Sequence, residues 1–189
     1  PVDAQESKLK RICNKLCLAA GMKVLDIGRG FGALARMLAE KHDVCVTAIT
    51  NSEDQYEITR RRCEGLSVDV QLSDWRELPI PDVGKRFHRI VSVGMFEHVG
   101  AKFYRAFFEK VHTLLEEQWY GRGEGYRGGL ALVHSIVGNN PKVRTDPWID
   151  KYIFPGGVIP SVGQILAASE GVLVPEDIDH CNLDYARTL

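Results

Sequence analysis

Three glycines, each separated from the next by one residue, form the most informative short pattern in this chain. Gly28, Gly30 and Gly32 follow the apolar run Lys23–Ile27 and precede a helical pattern. At a turn between strand and helix the backbone must bend sharply and approach a ligand closely, and residues without a Cβ allow both. The spacing G-x-G-x-G differs from the G-x-G-x-x-G of dinucleotide sites. The turn also lacks the adjacent Lys-Ser/Thr pair that is typical of a triphosphate site. The turn therefore predicts ligand binding, with a plain connector as the alternative.

The residues around this turn indicate the chemistry of the ligand. Asp26 precedes the first glycine, and a carboxylate there suits a cationic ligand with an ammonium group, such as S-adenosylmethionine (SAM), but would repel a pyrophosphate. Thr50 and Asn51 follow the next apolar run, where polar side chains can bind hydroxyl groups. Trp75 and Arg76 follow the third strand, and the indole offers an aromatic face for an adenine. Core packing is an equally strong interpretation of Trp75.

Two polar residues lie near the ends of later apolar runs. Glu97 follows the segment 89–96, and His134 lies within the run 130–136. Polar residues at the carboxyl edge of a parallel sheet face the crevice in which ligands bind, so Glu97 is a candidate for acid–base chemistry. Taken alone, His134 is better interpreted as a hydrogen-bonded histidine of the core.

Apolar runs alternate with helical patterns over the first two thirds of the chain. Such alternation predicts the α/β fold class, with a mostly parallel central sheet and helices on both faces. Cys13 and Cys17 fall on the apolar stripe of the first helix and are interpreted as packed thiols. The glycine-rich segment 121–129 predicts a mobile surface loop. The predicted strands are residues 23–27, 44–49, 68–72, 89–93 and 130–136, and the predicted helices are 8–18, 33–40, 52–64 and 104–115.

The composition is that of an ordinary globular chain. Its 189 residues include 24 Lys+Arg and 25 Asp+Glu, for a net charge of −1, and 44% are hydrophobic. This length suits one domain, 1–189, and the near-neutral charge argues against a nucleic-acid binder. No apolar run approaches the roughly 20 residues that span a bilayer. Five cysteines without C-x-x-C spacing favour neither a disulfide scaffold nor a zinc site, so the sequence predicts no metal, and a reducing cytoplasm is the default.

Several longer stretches resemble one protein family. They are Gly28-Arg29-Gly30-Phe31-Gly32, the segment from Ser92 to Gly100, the segment from Trp148 to Gly157, and Ile159-Pro160-Ser161. With these motifs the chain resembles the cyclopropane-fatty-acyl-phospholipid synthases, including the mycolic acid cyclopropane synthases, over nearly its whole length. The resemblance implies a Rossmann-like class I SAM-dependent methyltransferase fold. It also implies that the substrate is a cis-unsaturated acyl chain of a membrane phospholipid.

The resemblance assigns site residues by position. The positions that would bind SAM are Gly28, Gly30, Gly32, Thr50, Asn51, Gln55, Trp75 and Arg76, to which the chemistry of the turn adds Asp26. A bound bicarbonate, which acts as the base in this family, would be held by Glu97, His134 and Tyr185, with the carbonyl of Ile136 close by. The rings of Phe96, Tyr152 and Phe154 are candidates for stabilising a passing cation.

Three departures from the family pattern stand out. Arg29 replaces a residue that is usually Cys, and the segment 121–129 is longer than the usual turn. The active-site Cys of the family and the helices that cover the acyl chain fall outside this sequence. We therefore expect a domain truncated at both ends, which binds SAM but does not by itself catalyse the reaction.

Three functions stay open at this point. The first is a C-methyltransferase that adds a methylene across an acyl double bond, the second a small-molecule N-methyltransferase, and the third a SAM-binding membrane-associated module without catalysis. The set Glu97, His134 and Tyr185 favours the first, because amine methylation needs no bicarbonate site. The expected partner is a membrane phospholipid, which the protein would contact peripherally at the cytoplasmic face of the membrane. A homodimer with a second copy of the chain is also expected, and no nucleic acid is.

Overall fold

The computed structural model describes residues 2–28, 30–117, 119–120, 126–142, 144, 146–152 and 156–181. Within these ranges the chain forms six α-helices and seven β-strands, joined in part by short 3-10 turns. The helices are α1 (Val2–Lys15), α2 (Ala33–His42), α3 (Glu53–Arg62), α4 (Tyr104–Leu114), α5 (Pro147–Tyr152) and α6 (Val162–Ser169). The strands are β1 (Lys23–Ile27), β2 (Cys45–Thr50), β3 (Val68–Leu72), β4 (Arg89–Val93), β5 (Trp119–Tyr120), β6 (Tyr126–Arg127) and β7 (Leu130–His134).

Five of these strands form one parallel sheet in the order β3-β2-β1-β4-β7. The chain builds outward from β1 through β2 to β3, and then returns to the other side of β1 with β4. The direction of winding therefore reverses between β1 and β4, and the crevice beyond their carboxyl ends is where open α/β sheets bind ligands. This arrangement confirms the predicted α/β class.

The apolar core lies on both faces of the sheet. On one face, α1 and α2 pack Ile12, Leu16 and Leu38 against alternate residues of β1 and β2. On the other face, α4 packs Phe107, Phe108, Val111 and Leu114 against the remaining strand residues, and α6 joins that cluster. Because both faces are covered, the inner strands are largely apolar runs, whereas β3 at the end of the sheet alternates apolar and polar residues; both patterns could be located from the sequence. None of the helices in the described ranges is long and apolar enough to cross a membrane.

Most predicted elements are confirmed to within a few residues, and two expectations are wrong. Cys13 is buried, but Cys17 is exposed because the helix ends at Lys15 and Cys17 turns away with a positive φ of 46°. Within the segment 121–129, Tyr126–Arg127 is not loop but pairs as β6 with β5 in an antiparallel ribbon. Residues 121–125 lie outside the described residues. Helices α5 and α6 were not predicted.

A buried arginine holds the end of α1 against the sheet. Arg89 is the first residue of β4 and is 2% exposed. Its guanidinium donates to the carbonyl oxygens of Leu16 at 2.5 Å, Cys17 at 3.2 Å and His88 at 2.7 Å. The last carbonyls of a helix lack partners within the helix, and a cation at this end also complements the helix dipole.

We expect Arg89→Met to destabilise the fold, since methionine fills a similar volume but donates no hydrogen bond to these carbonyls. Each buried carbonyl left unpaired costs about 1–3 kcal/mol, so the free energy of unfolding should fall by about 3 kcal/mol in urea titrations. Arg36→Met is the matched control, because Arg36 is exposed and its ion pair within the described ranges is with the exposed Glu40 of its own helix. An equal, negligible effect of both substitutions would show that Arg89 does not anchor α1.

Candidate functional site

The glycines of the turn between β1 and α2 have two different roles: close packing within the protein and access for a ligand. A Cβ at Gly28 would lie 2.4 Å from Met95 Cγ, and one at Gly32 would lie 2.4 Å from Thr59 Cγ2. A Cβ at Gly30 would meet nothing within 4 Å, although its φ of +57° still disfavours other residues. Two of the glycines are therefore required by the protein itself. At Gly30 the missing side chain leaves open space in front of the turn.

The end of β2 places polar groups beside this turn. Gly28 donates its amide to the carbonyl of Ile49 at 3.1 Å, which ties the turn to β2. The buried Thr50 hydroxyl donates to Gln55 Oε1 at 2.8 Å and accepts from the Ser52 amide at 3.2 Å. Ser52 caps α3, which fixes the first turn that carries Gln55. The structure thus brings Thr50, Gln55 and the exposed Asn51 together at one edge.

Asp26 is fully buried in the core, and Trp75 is partly buried there. Asp26 is 1% exposed and lies in the middle strand, so its charge acts from beneath the turn rather than at an open surface. Trp75 is half-buried and packs edge-to-face against Phe107, with ring centroids 5.3 Å apart. Core packing is thus one role of Trp75, and its contact with adenine stays a prediction.

Arg76 is held by its neighbour Asp74. The guanidinium donates to both carboxylate oxygens, at 2.6 and 2.8 Å, and this pairing lowers the pKa of Asp74 below its ordinary value. The Arg76 guanidinium carbon also lies 5.9 Å from the ring centroids of Trp75 and Phe103. The planar cation is therefore fixed beside the indole, at the edge where β3 ends.

Glu97 is a buried carboxylate with only half of its hydrogen-bonding capacity used. It lies in a 3-10 turn, Phe96–His98, that follows β4, and it is 1% exposed. Its Oε1 accepts a hydrogen bond from the amide of Ile136 at 2.6 Å. Its Oε2 is buried and has no hydrogen-bond partner in the described part of the chain. An unpaired carboxylate oxygen in such a place is costly unless a ligand completes it.

His134 lies at the same edge, as the last residue of β7. It pairs in register with Val93, and its side chain is exposed rather than part of the core. The surrounding protein atoms desolvate the imidazole and lower its pKa; the positive charge of Lys8 acts in the same direction, while Glu97 opposes them. The imidazole is therefore neutral at neutral pH, with one N–H donor and one acceptor nitrogen.

The other residues named from the sequence lie outside the described residues, in the core or at the surface. Tyr185, Phe154 and Arg29 lie outside the described residues. Phe96 is fully buried and stacks on Tyr104 with ring centroids 4.6 Å apart, so it packs in the core; its role in stabilising a cation stays a prediction. Tyr152 is 62% exposed.

Sequence reasoning missed the group that holds Glu97. The carbonyl of Ile136 was expected near the site, but it accepts from the Ser135 hydroxyl at 2.9 Å, and the Ile136 amide is what contacts Glu97. The contact joins residues 39 positions apart, and backbone amides leave no signal in the sequence. The segment 156–161 was also missed as part of the site, although the Val158 amide donates to the carbonyl of Glu97 at 2.8 Å.

Comparison with known proteins places the chain in a family. The family model described as mycolic acid cyclopropane synthetase matches residues 2–189. The cyclopropane-fatty-acyl-phospholipid synthase of Escherichia coli is 45% identical over 186 residues, which cover 98% of this chain and 45% of that protein. The chain therefore spans less than half the length of this relative.

Solved structures agree with this assignment. The mycolic acid cyclopropane synthase CmaA1, complexed with SAH and CTAB, superposes with a TM-score of 0.83 at 31% identity, over 98% of this chain and 66% of that one. A phosphoethanolamine N-methyltransferase of Haemonchus contortus, in complex with S-adenosyl-L-methionine, gives a TM-score of 0.77 at 15% identity, over 96% and 40% of the two chains, and so supports the fold alone. The Rossmann-like class I methyltransferase fold is thereby confirmed.

We expect Gly30→Val to abolish SAM binding, because its side chain would enter the open space in front of the turn. Gly21→Val is the matched control: Gly21 has a φ of +78° and nothing within 4 Å of a Cβ, so it carries similar backbone strain away from the crevice. Isothermal titration with SAM should show at least about a hundredfold weaker binding for Gly30→Val, equivalent to about 3 kcal/mol. Equal affinities in the two variants would mean that the turn is only a connector.

Proposed function

The chain belongs to the mycolic acid cyclopropane synthetase family, and we propose on this basis that it is the SAM-binding part of an enzyme that adds a methylene across a cis double bond of a phospholipid acyl chain. The product would be a cyclopropane fatty acid. The observation that carries the proposal is the Glu97 carboxylate, which is buried at the same sheet edge as His134, with one oxygen bonded and the other unpaired among the described residues.

The open face of the glycine turn fits SAM as cofactor. Bound SAM supplies an electrophilic methyl group attached to a sulfonium ion. Gly30 leaves room for the ligand, Asp26 places a negative charge beneath the turn, and Thr50 orients the amide of Gln55 toward the same edge. A ribose needs hydrogen-bonding side chains for its hydroxyl groups, and Asn51 and Gln55 are the polar side chains available there.

Glu97 and His134 together fit a bicarbonate ion as the base. Bicarbonate carries one hydroxyl group and otherwise only acceptor oxygens. Glu97 Oε2 can accept from that hydroxyl, which also places a proton between two anions that would otherwise repel each other. The neutral imidazole of His134 can donate its N–H to another oxygen of the ion. Tyr185 is proposed as a third contact.

This arrangement keeps the carboxylate of the protein itself away from a reactive carbocation. An alkene that accepts a methyl group becomes a carbocation, and ring closure then requires loss of a proton from the added methyl. A carboxylate side chain that touched the cation could itself be alkylated. Glu97 is only 1% exposed and held by the Ile136 amide, so it can orient a small base without reaching the acyl chain. Binding in a dry pocket also holds the methyl donor in line with a weak nucleophile.

The substrate implies contact with a membrane surface. Trp148 and Tyr152 on α5 are 60% and 62% exposed, and their ring centroids lie 5.7 Å apart. Trp and Tyr are enriched at membrane interfaces, where one part of the ring is in contact with water and the other with lipid. Peripheral contact at the cytoplasmic face is therefore part of the proposal. The homodimer stays a prediction.

The direct test uses the full-length protein with SAM and vesicles of cis-unsaturated phospholipid, followed by mass spectrometry of the lipids. We expect acyl chains heavier by one methylene that resist hydrogenation. Glu97→Gln and His134→Ala should each lower turnover by at least about a hundredfold, as for loss of acid–base catalysis, while SAM affinity stays the same.

Glu109→Gln is the matched control for Glu97→Gln, since Glu109 is an exposed carboxylate of α4 paired with Arg105. Turnover in that variant should equal that of the wild type. Unchanged turnover in Glu97→Gln and His134→Ala would reject the roles assigned to them. SAM binding without any change in the lipid would reject the acyl-chain substrate and favour an amine substrate or a binding module.

A further inference from the structure

The segment 156–161 crosses directly over the turn that carries Glu97. Its Val158 amide donates to the backbone carbonyl of Glu97, and its Pro160 carbonyl accepts from the amide of Gly138, both at 2.8 Å. Ser161 forms a bridge with Gly138. Gly157, Pro160 and Ser161 are buried. The segment is thus attached on one side to the turn after β4 and on the other to the chain that follows β7.

Tyr104 provides a second attachment at Val158. Its side chain is 3% exposed, and its hydroxyl donates to the carbonyl oxygen of Val158 at 3.1 Å. The two polar groups of Val158 are therefore bonded to different partners, the amide to Glu97 and the carbonyl to Tyr104. The ring of Tyr104 also stacks on Phe96, the residue that precedes Glu97, with an interplanar angle of 25°.

These contacts join α4 to the Glu97 turn across a short connection. Between the two lie Gly100, whose φ of +79° is accessible mainly to glycine, and the 3-10 turn Ala101–Phe103. The hydrogen bond from Tyr104 to Val158, together with the ring stacking on Phe96, fixes α4 to both sides of Glu97.

We propose that Tyr104 is a positioning residue for Glu97: by holding Val158 it keeps the Glu97 carboxylate buried and directed at the Ile136 amide, with the second oxygen facing the base. The inference rests on the proposed function of Glu97, and it assigns to Tyr104 no contact with substrate or cofactor.

The phenol is suited to a permanent donor role. Burial raises the pKa of Tyr104, and the negative charge of Glu97 raises it further. The hydroxyl group therefore keeps its proton at neutral pH and can donate to the carbonyl of Val158.

The test compares Tyr104→Phe with wild type in the full-length protein. Phenylalanine preserves the stacking on Phe96 and removes only the hydroxyl group. We expect kcat for lipid alkylation to fall about tenfold, the effect of one lost hydrogen bond at the site, while the KM for SAM changes less than about twofold. We also expect faster amide hydrogen exchange at Val158 and at Ile136, and unchanged exchange in β1.

Ser169→Ala is the matched control. Ser169 is 5% exposed and donates to the carbonyl of Leu166 within α6, a helix that packs against α4. Ser169→Ala should lower thermal stability to a similar extent as Tyr104→Phe, without altering kcat or the amide hydrogen exchange of Ile136. A purely structural role of Tyr104 would give the same pattern as this control, and that result would overturn the inference.

The two hypotheses fail in different ways. If wild-type protein leaves the lipids unmodified, the proposed function is wrong. Hydrogen exchange at Ile136 still decides the inference in that case, because it reports the Glu97 contact without any reaction. Unchanged Ile136 exchange in Tyr104→Phe would overturn the positioning role even in an active enzyme.

Discussion

The hydrogen bond from the Ile136 amide to the Glu97 carboxylate ties the end of β4 to the end of β7, and the geometry of the site depends on it. Burying a carboxylate is unfavourable unless donors replace the lost water. The amide supplies one donor and leaves the second oxygen unpaired among the described residues. A ligand with a donor group would supply a partner for that second oxygen, which is the basis of the role proposed for Glu97.

The parallel sheet makes this arrangement possible because all of its strands end at one edge. Beyond β1 lies the glycine turn, beyond β2 the group around Thr50, beyond β4 Glu97, and at the end of β7 His134. Apolar clusters on both faces hold the strands in register, so these groups keep fixed positions without contacting one another extensively. Cofactor and base can then bind at neighbouring places on one crevice, as the reversal of winding between β1 and β4 would lead one to expect.

The sequence predicted the parts of the molecule that depend on local patterns. Strands buried on both faces are largely apolar, and α4 shows apolar residues at helical spacing, so both could be located closely. Helix α1 begins at Val2, well before its apolar stripe, and its residues 4–8 form helix with their side chains exposed. Cys17 was misplaced because the apolar spacing continues past Lys15 although the helix does not.

What the sequence could not predict depends on distant backbone groups. The Ile136 amide, the Val158 peptide and the pairing of β5 with β6 involve contacts whose partners no spacing rule identifies. The family resemblance identified Glu97 and His134 but not the groups that hold them. His134 was interpreted from its apolar neighbours as a core residue, yet it ends the edge strand β7 and is exposed.

In the function we propose, Glu97 offers the oxygen that is unpaired among the described residues to a small anionic base. The most direct measurement is binding of ¹³C-labelled bicarbonate to the full-length protein, followed by ¹³C NMR in the presence of S-adenosylhomocysteine. We predict saturable binding in the wild type, loss of that binding in Glu97→Gln, and retention in the exposed-site variant Glu109→Gln. Bicarbonate binding that is equally strong in wild type and Glu97→Gln would contradict the account.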